Sequence, residues 1–205
     1  DIDGDGCDEI INGSLAIDND GKTLWGTGLG HGDRSYMGDI DPDNPGWEIW
    51  YIIEEPHPRN GACLVDARTG RIIFGADEST RDNELGSCVA ADFDPAHPGL
   101  ELAAGRFYYT SKGTRLKGDV PPQGLMAWWD ADLLREFVSR RGLAKWNGSD
   151  LVPIQGSQIE GSVQQVADIC GDWREELVTT NAGELRIYST IIPAVDRRVC
   201  LMQDP

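Results

Sequence analysis

Positive charge is scarce in this sequence. It contains 18 lysine and arginine residues against 35 aspartate and glutamate residues, which gives a net charge of −17 at pH 7. Nucleic-acid binding relies on cationic side chains that neutralise phosphates, so nucleic acid is not an expected partner. An anionic membrane surface attracts clustered lysine and arginine in the same way, and it is not an expected partner either.

Long hydrophobic runs and paired-cysteine motifs are missing as well. No apolar stretch is long enough to span a bilayer, so membrane insertion is not expected. The cysteine count is odd and no CxxC pair occurs, which favours isolated thiols, most of them in strands, over a disulfide framework. The cysteines are Cys7, Cys63, Cys88, Cys170 and Cys200.

The sequence is instead rich in turn-forming residues and in acidic loops. Its 25 glycines and 11 prolines predict many turns between short strands. In the first loop, Asp1, Asp3 and Asp5 occupy alternate positions, and the glycines between them allow a tight turn. These carboxylates, the carbonyl of Cys7 and a closing Glu9 would give a set of oxygen donors that suits Ca²⁺.

The acidic residues of this loop allow two alternatives to a short calcium loop. An EF-hand or dockerin loop needs an acid at its twelfth position and a helix after it, but Asn12 stands there and the following residues predict a strand. A solvated acidic turn without a metal is the second alternative, and it applies to every copy of the loop. The sequence favours a shorter calcium loop that leads into a strand.

The acidic loop occurs four times, and each copy ends on an acid followed by an apolar strand. The copies begin at Asp1, Asp39, Asp92 and Asp168. Repeats of about 40 to 50 residues that each carry a few short strands are typical of a β-propeller. The predicted metal ligands of the later copies are Asp39, Asp41 and Glu48, then Asp92, Asp94 and Glu101, then Asp168, Asp172 and Glu176. The fourth copy has Cys170 in place of an aspartate, and a thiol is a poor ligand for a hard cation.

The segments between the loops predict three or four strands per blade. The predicted strands are 9–12, 15–18 and 22–25, then 36–38, 47–53, 62–66 and 71–74, then 88–91, 101–104, 125–129 and 133–138, then 163–167, 176–180 and 184–188. A short helix from Asp132 is the alternative to the strand at 133–138, because that segment also has helical spacing. The segments 106–123 and 144–161 are predicted to be irregular loops of the kind that carry function.

We therefore expect residues 1–205 to be part of a single all-β propeller domain with about four blades. Four blades lie at the low end of the known range, and the sequence begins inside a motif. The remaining blades are expected in the same or a longer chain.

Several longer motifs occur in one order along the chain. They are Gly28-Leu29-Gly30-His31-Gly32-Asp33, the two D-x-D-P-x-x-P-G-x-E loops, Trp128-Trp129-Asp130-Ala131-Asp132-Leu133-Leu134-Arg135-Glu136, Gly171-Asp172-Trp173-Arg174-Glu175-Glu176, Leu185-Arg186-Ile187-Tyr188 and Leu201-Met202-Gln203-Asp204-Pro205. As a set, these motifs resemble the rhamnogalacturonan lyases of polysaccharide lyase family 11. The resemblance implies an eight-bladed, secreted propeller rich in structural Ca²⁺ that cleaves pectic rhamnogalacturonan by β-elimination.

The resemblance also implies a substrate cleft and a partner. The family's Asn-Gly-Thr-Lys stretch aligns with Gln155-Gly156-Ser157-Gln158, which are the predicted substrate-binding residues. Gln158 stands where the family has lysine, and Ser87 where it has arginine, so two charges that would face a uronate are lost. The expected partner is an acidic rhamnose–uronate polysaccharide, and the expected location is extracellular or at the cell surface.

Three further side chains have two interpretations each. His31 resembles a family metal ligand, and the alternative is a turn residue hydrogen-bonded to the backbone. Lys112 lies on the long loop of the third blade, where it would bind a uronate or remain a solvated surface lysine. Trp128 and Trp129 offer a face for sugar stacking, but strand geometry directs one of them into the core.

Two functions are consistent with these residues. The first is a Ca²⁺-dependent lyase acting on a pectic polysaccharide, in which the uronate carboxylate is neutralised, a base removes the C5 proton and an acid protonates the leaving oxygen. The second is a non-catalytic, Ca²⁺-stabilised propeller that binds acidic glycans or a protein partner. An integrin-like propeller is a third possibility, against which the Trp-Trp-Asp and Gly-Asp-Trp-Arg-Glu-Glu motifs argue. No catalytic residue is assigned from the sequence.

Overall fold

The described part of the chain is built entirely from β-strands and their connections. The structure, a computed structural model, describes residues 1–12, 14–54, 60–76, 85, 88–105, 107–116, 125–130 and 132–194. These ranges contain 17 β-strands and no helix. Accordingly, they contain no helix of the length and apolar character needed to cross a membrane.

The strands form five antiparallel sheets within these ranges, and each sheet uses strands that are consecutive in the chain. The first sheet holds β1 (Ile10–Asn12), β2 (Leu15–Ile17) and β3 (Thr23–Gly26). The second holds β4 (Gly32–Gly38), β5 (Glu48–Ile53), β6 (Ala62–Asp66) and β7 (Ile72–Ala76). The third holds β8 (Cys88–Ala91), β9 (Glu101–Ala104) and β10 (Phe107–Tyr109). The fourth holds β11 (Met126–Ala127), β12 (Glu136–Ser139), β13 (Gly142–Trp146) and β14 (Leu151–Pro153), and the fifth holds β15 (Ser162–Ala167), β16 (Glu176–Asn181) and β17 (Glu184–Tyr188).

The prediction of which strands form the third blade is wrong. Its four predicted strands divide between the third and fourth sheets, which gives five sheets in the described chain where about four were expected. The structure has three strands that the sequence did not predict, namely β10, β13 and β14, and they lie in or overlap the segments predicted as irregular. Strands of three to five residues show too little alternation of apolar and polar side chains to be recognised by periodicity. The alternative helix from Asp132 is also wrong, because that segment is a loop that leads into β12.

The first compact unit comprises Asp1–Ala90, His97–Lys117 and Pro121–Gln123. Its centre is β5, in which all six residues are buried. Alternate side chains of a strand point to opposite faces of the sheet. Trp50 and Ile52 therefore join a core with residues of the third sheet, while Tyr51 and Ile53 join a core with residues of the first sheet. The indole N–H of Trp50 donates a hydrogen bond to the carbonyl of Ala103 at 2.8 Å.

The second compact unit comprises Ala91–Ala96, Gly118–Val120 and Gly124–Pro205. Residues of the fourth and fifth sheets share a core that includes Ala127, Trp129 and Leu177. Trp129 is buried, which confirms the prediction that at least one tryptophan of the Trp128-Trp129 pair lies in the core. Phe93 and Phe137 pack edge to face in the same unit, with ring centroids 4.9 Å apart.

The described cysteines are isolated thiols, as predicted. Cys63 and Cys88 are buried in strands, whereas Cys7 and Cys170 are exposed in loops, and all four are free. Burial raises the pKa of Cys63 and of Cys88 to about 12, so both remain protonated and unreactive at neutral pH. Cys200 lies outside the described residues.

Candidate functional site

Four acidic loops, three of them predicted and one that precedes β12, end on a glutamate that accepts hydrogen bonds from the backbone of its own loop. One carboxylate oxygen of this closing glutamate accepts a hydrogen bond from a backbone N–H six to eight residues earlier. The N–H of Ile2 donates to Glu9 at 2.5 Å, and the N–H groups of Ile40 and Asp41 donate to Glu48 at 2.9 Å. The N–H of Trp129 donates to Glu136 at 2.8 Å, and the N–H groups of Ile169 and Cys170 donate to Glu176 at 2.9 Å. The repeated loop of the sequence is therefore a repeated structure.

The first loop gathers enough carboxylates to hold a cation. Ligand atoms of Asp1, Asp3 and Asp5 lie within 4.8 Å of one another, and so do those of Asp3, Glu9 and Asp18. Asp18 follows β2 and was not predicted as a ligand. The Oε1 atom of Glu9 is buried and makes no hydrogen bond, which leaves a lone pair available to a metal. This oxygen-rich set fits Ca²⁺, which prefers six to eight oxygen ligands.

The second loop is occupied by a lysine side chain. Asp41 is buried and Asp39 is exposed, and the ammonium group of Lys112 contacts the carboxylate of Asp41 and lies 2.8 Å from that of Asp43. Hydrogen bonds to Asp41 and Asp43 raise the pKa of Lys112. Lys112, a candidate for uronate binding in the sequence, therefore neutralises two loop aspartates, and its role toward substrate stays a prediction.

The predicted ligands of the third loop have other contacts in the protein. Asp94 is buried, and its Oδ2 accepts a hydrogen bond from the indole N–H of Trp146 at 3.2 Å. The carbonyl of Asp92 accepts a hydrogen bond from the N–H of Arg135 at 2.7 Å. Glu101 is fully buried at the start of β9. Their role in metal binding stays a prediction.

The fourth loop folds around the carboxylate of Asp168, which accepts backbone N–H hydrogen bonds from Gly171, Asp172 and Trp173 at 2.7 to 3.0 Å. Trp173 is buried and has a φ of 77°, at the position where the first loop has a glycine. Arg174 forms an ion pair with Asp172 at 3.0 Å.

A fifth acidic loop, absent from the predicted set, precedes β12 in the fourth sheet. We call Asp130 and residues 132–136 the fourth-sheet loop. Asp130, Asp132 and Glu136 bring ligand atoms within 4.8 Å of one another. The ammonium group of Lys145 lies among them, 2.7 Å from Asp130 and 3.5 Å from Glu136, and it also contacts Asp132. The D-x-D-x-x-x-E spacing was visible in the sequence, but it was interpreted as a turn between two strands.

Charges in the fourth-sheet loop perturb one another. Burial raises the pKa of Glu136 to about 7. The hydrogen bond that its carboxylate accepts from the N–H of Trp129 lowers the pKa, but by less than burial raises it. Burial alone would lower the pKa of Lys145, but its hydrogen bonds to Asp130 and Asp132 outweigh burial and leave the pKa raised. The lysine therefore stays charged, and the loop holds a cation of its own.

An arginine joins the fourth-sheet loop to the acidic loop that begins at Asp168. Nη1 of Arg135 lies 2.8 Å from Oε2 of Glu175, and that oxygen also accepts the N–H of Trp128 at 2.9 Å. The guanidinium carbon of Arg135 stands 3.9 Å from the centroid of the Trp128 ring. Trp128 is therefore engaged by a cation–π contact in addition to its backbone hydrogen bond.

Replacement of Glu175 by glutamine is expected to lower the free energy of unfolding by about 1 to 3 kcal/mol, because it removes the charge from a mostly buried, hydrogen-bonded pair. Chemical denaturation of the longest available form of the protein measures this loss. The matched control is Glu184→Gln, which breaks the exposed pair with Arg186 and is expected to cost less than about 1 kcal/mol. Equal losses for the two variants would contradict the bridging role of Glu175.

The predicted substrate-binding residues lie on the connection from β14 to β15. Gln155, Gly156 and Gln158 are exposed there, whereas Ser157 is buried. The hydroxyl of Ser157 accepts the N–H of Leu143 at 3.0 Å and lies 2.8 Å from the carbonyl of Ile154. Ser157 therefore braces the sheet. Binding of substrate by these four residues stays a prediction, and Ser87 lies outside the described residues.

His31 is exposed and forms a pair that the sequence did not reveal. Its Nδ1 lies 2.7 Å from a carboxylate oxygen of Glu54, and its carbonyl accepts the N–H of Glu54 at 3.0 Å. These two residues hold together the end of the second sheet that lies opposite its acidic loop. A metal-binding role for His31 stays a prediction.

Comparison with known proteins identifies the family. The family model described as the C-terminal domain of rhamnogalacturonan lyase family 11 matches residues 1–205, which is the whole chain. This chain belongs to rhamnogalacturonan lyase family 11. The resemblance drawn from the sequence motifs is therefore confirmed.

Relatives of the family 11 chain include two enzymes of Bacillus subtilis (strain 168). Rhamnogalacturonan endolyase YesW is 41% identical over 217 residues, which cover 100% of this chain and 34% of that protein. Rhamnogalacturonan exolyase YesX is 36% identical over 234 residues, which cover 100% of this chain and 38% of that protein. The chain thus spans about a third of the length of the curated relatives it matches.

Solved structures agree with the family 11 assignment. The crystal structure of rhamnogalacturonan lyase YesW aligns with a TM-score of 0.84 at 39% identity and covers 100% of this chain and 37% of that chain. A Bacillus licheniformis rhamnogalacturonan lyase aligns with a TM-score of 0.84 at 38% identity over the same shares. The backbone of the family 11 chain is therefore close to those of known lyases.

Proposed function

We propose that this chain is part of a polysaccharide lyase that cleaves rhamnogalacturonan-type pectic polysaccharide by β-elimination at a uronate. The observation that carries the proposal is the match of the whole chain to a rhamnogalacturonan endolyase and an exolyase, at 41% and 36% identity. Because the chain spans about a third of those relatives, the activity is proposed for the whole protein. An extracellular or cell-surface location is proposed with it, since the substrate is a polymer.

The chain's own residues suit sugar binding better than proton transfer. Gln155 and Gln158 are exposed and carry amide groups, which donate and accept hydrogen bonds but do not exchange a proton at neutral pH. They are proposed to orient sugar hydroxyls next to the uronate. A bound cation at the site would supply the charge that neutralises a uronate carboxylate.

The proposed fold is a β-propeller whose acidic loops bind Ca²⁺ for structural reasons. Support comes from sheets of three or four consecutive strands, which is the composition of propeller blades. Further support comes from the closing glutamates, which give several loops one hydrogen-bonding pattern. The carboxylates around Asp3 and the unbonded Oε1 of Glu9 make the first loop the best candidate for calcium.

The lyase proposal is tested by the ultraviolet absorbance of a 4,5-unsaturated uronate. The longest available form of the protein is mixed with rhamnogalacturonan I and Ca²⁺, and absorbance is expected to rise with time. A polymer of galacturonate without rhamnose serves as the control substrate and is expected to give no rise. A flat trace with rhamnogalacturonan I, for protein that melts cooperatively, would contradict the proposal.

A non-catalytic, glycan-binding or protein-binding propeller is the second candidate. One observation favours it, namely that the predicted uronate-facing groups offer no available positive charge: Gln158 is neutral and Lys112 is paired with Asp41 and Asp43. In the absorbance experiment this candidate predicts a flat trace together with measurable binding of the same polysaccharide.

A further inference from the structure

The position opposite the closing glutamate differs in charge from sheet to sheet. In the second sheet, Glu48 of β5 pairs directly with Asp66 of β6. In the first sheet, Ile10 pairs with Ile17, so Glu9 and Asp18 are the next pair along the two strands. In the fourth sheet, Phe137 pairs with Ala144, so Glu136 and Lys145 are the next pair. The same place in the sheet therefore carries aspartate twice and lysine once.

The carboxylates around Lys145 match those of the first loop in position. Asp130 and Asp132 precede Glu136 by the same numbers of residues as Asp3 and Asp5 precede Glu9. In both loops the closing glutamate accepts a backbone N–H from the residue seven places earlier, Trp129 or Ile2. The two loops differ in the side chain that stands across from the glutamate, and Trp128 stands in the fourth-sheet loop where the first loop has Asp1.

Lys145 is placed as a bound cation would be. Its Nζ lies 2.7 Å from Oδ2 of Asp130 and 3.5 Å from Oε1 of Glu136, and it contacts Oδ2 of Asp132. An ammonium group has three N–H donors, and here three carboxylates surround it. The side chain is 25% exposed, so solvent screens these interactions only partly.

A second observation indicates that a cation belongs at this place. Oε1 of Glu136 is buried and makes no hydrogen bond, and it faces Nζ of Lys145. The corresponding oxygen in the first loop, Oε1 of Glu9, is buried and unbonded in the same way, and among the described residues the ion pair of Glu9 is with the amine of Asp1, 3.9 Å from Oε2, and not with a lysine. A buried carboxylate oxygen without a hydrogen bond is stabilised only by a nearby positive charge.

We propose that Lys145 is the built-in cation of the fourth-sheet loop and fills the place that a calcium ion would take in the first loop. The fourth-sheet loop accordingly folds without a metal and rejects Ca²⁺, because a divalent ion is repelled by the ammonium group that already holds its ligands. Removal of the amine leaves Asp130, Asp132 and Glu136 as a latent calcium site. The inference does not depend on lyase activity.

Lys112 in the second loop is a weaker case of the same arrangement. It contacts two carboxylates where Lys145 contacts three, and its side chain is 47% exposed. Lys112 also follows β10 of the third sheet, whereas Lys145 lies in the sheet whose loop it neutralises. The cross-strand position of Lys145 fixes its amine at the loop, so this lysine carries the proposal.

The proposal is tested by counting bound calcium in the longest available form of the protein. After dialysis against buffered Ca²⁺, the Lys145→Met variant is expected to bind one more calcium ion per chain than the unmutated protein, as measured by native mass spectrometry. The control Lys22→Met removes an exposed lysine that pairs with Asp20, and it is expected to leave the count unchanged. An unchanged count in a cooperatively folded Lys145→Met variant would overturn the proposal.

A second measurement uses the unmutated protein and does not depend on how the variant folds. Crystals soaked in Tb³⁺, which binds at calcium sites, are expected to show no anomalous peak within coordination distance of Asp130, Asp132 and Glu136. A peak at these carboxylates, with Lys145 displaced, would overturn the proposal. A peak among Asp1, Asp3 and Asp5 is a separate test of the first calcium loop.

Discussion

Replacement of Glu48 by alanine is expected to lower the free energy of unfolding by about 3 to 5 kcal/mol. Glu48 is fully buried and accepts hydrogen bonds from the N–H groups of Ile40 and Asp41 at 2.9 Å and from the side-chain amide of Asn44 at 2.5 Å. The alanine variant leaves these donors without an acceptor in a dry site, and each such loss costs about 1 to 3 kcal/mol. Urea denaturation of the longest available form measures the change.

Two controls separate this effect from a general loss of charge. Glu48→Gln keeps one carbonyl acceptor for the backbone N–H groups, so its loss is expected to fall well below that of the alanine variant. Glu54→Ala removes a half-exposed glutamate at the other end of β5 and is expected to cost less than about 1 kcal/mol. Equal stability of all three variants would contradict the hypothesis that Glu48 stabilises its loop by accepting backbone hydrogen bonds.

Removal of calcium is expected to lower the melting temperature by several degrees. A ligand present at 100 times its Kd stabilises the folded state by about 2.7 kcal/mol per site, and each kcal/mol corresponds to about 2 to 4 °C for a protein of this size. Excess chelator withdraws this stabilisation from every loop that binds Ca²⁺. Differential scanning calorimetry with and without chelator measures the shift, and chelator saturated with Ca²⁺ is the control.

A pair of variants assigns part of the calcium effect to the first loop. Asp3 belongs to both carboxylate groups of that loop, so Asp3→Ala is expected to reduce the chelator-induced shift. Asp8 is almost fully exposed and belongs to neither group, so Asp8→Ala is expected to keep the whole shift. Identical melting curves with and without chelator would rule out calcium binding by the acidic loops.

The local features of this protein were predictable from the sequence. The acidic loops, the strands that follow them and most turns depend on neighbouring residues such as Asp39, Pro42 and Glu48, whose spacing is visible in one line of sequence. β6, β8, β9 and β17 have the predicted boundaries. The motif resemblance gave the family, which the comparisons confirm.

The features that the sequence did not predict depend on strand register or on the fold of distant segments, not on local residue spacing. Asp18 and Lys145 reach their loops only because β2 and β13 pair with the strands that begin at or just after the closing glutamates, and a strand register is not visible in residue spacing. Lys112 lies 71 positions from Asp41, and its long side chain finds the loop through the fold. The fourth-sheet loop was missed because Asp130 and Asp132 also have the composition of a hairpin turn.

The consecutive order of strands in every described sheet also has a consequence for folding kinetics. Strand pairing within a sheet joins segments that are near in sequence, so the entropy lost on closing each loop is small. Pairing between segments that are near in sequence also forms faster than pairing between distant segments. We therefore expect strand pairs within a sheet to form early in folding, and the cores that neighbouring sheets share to form later.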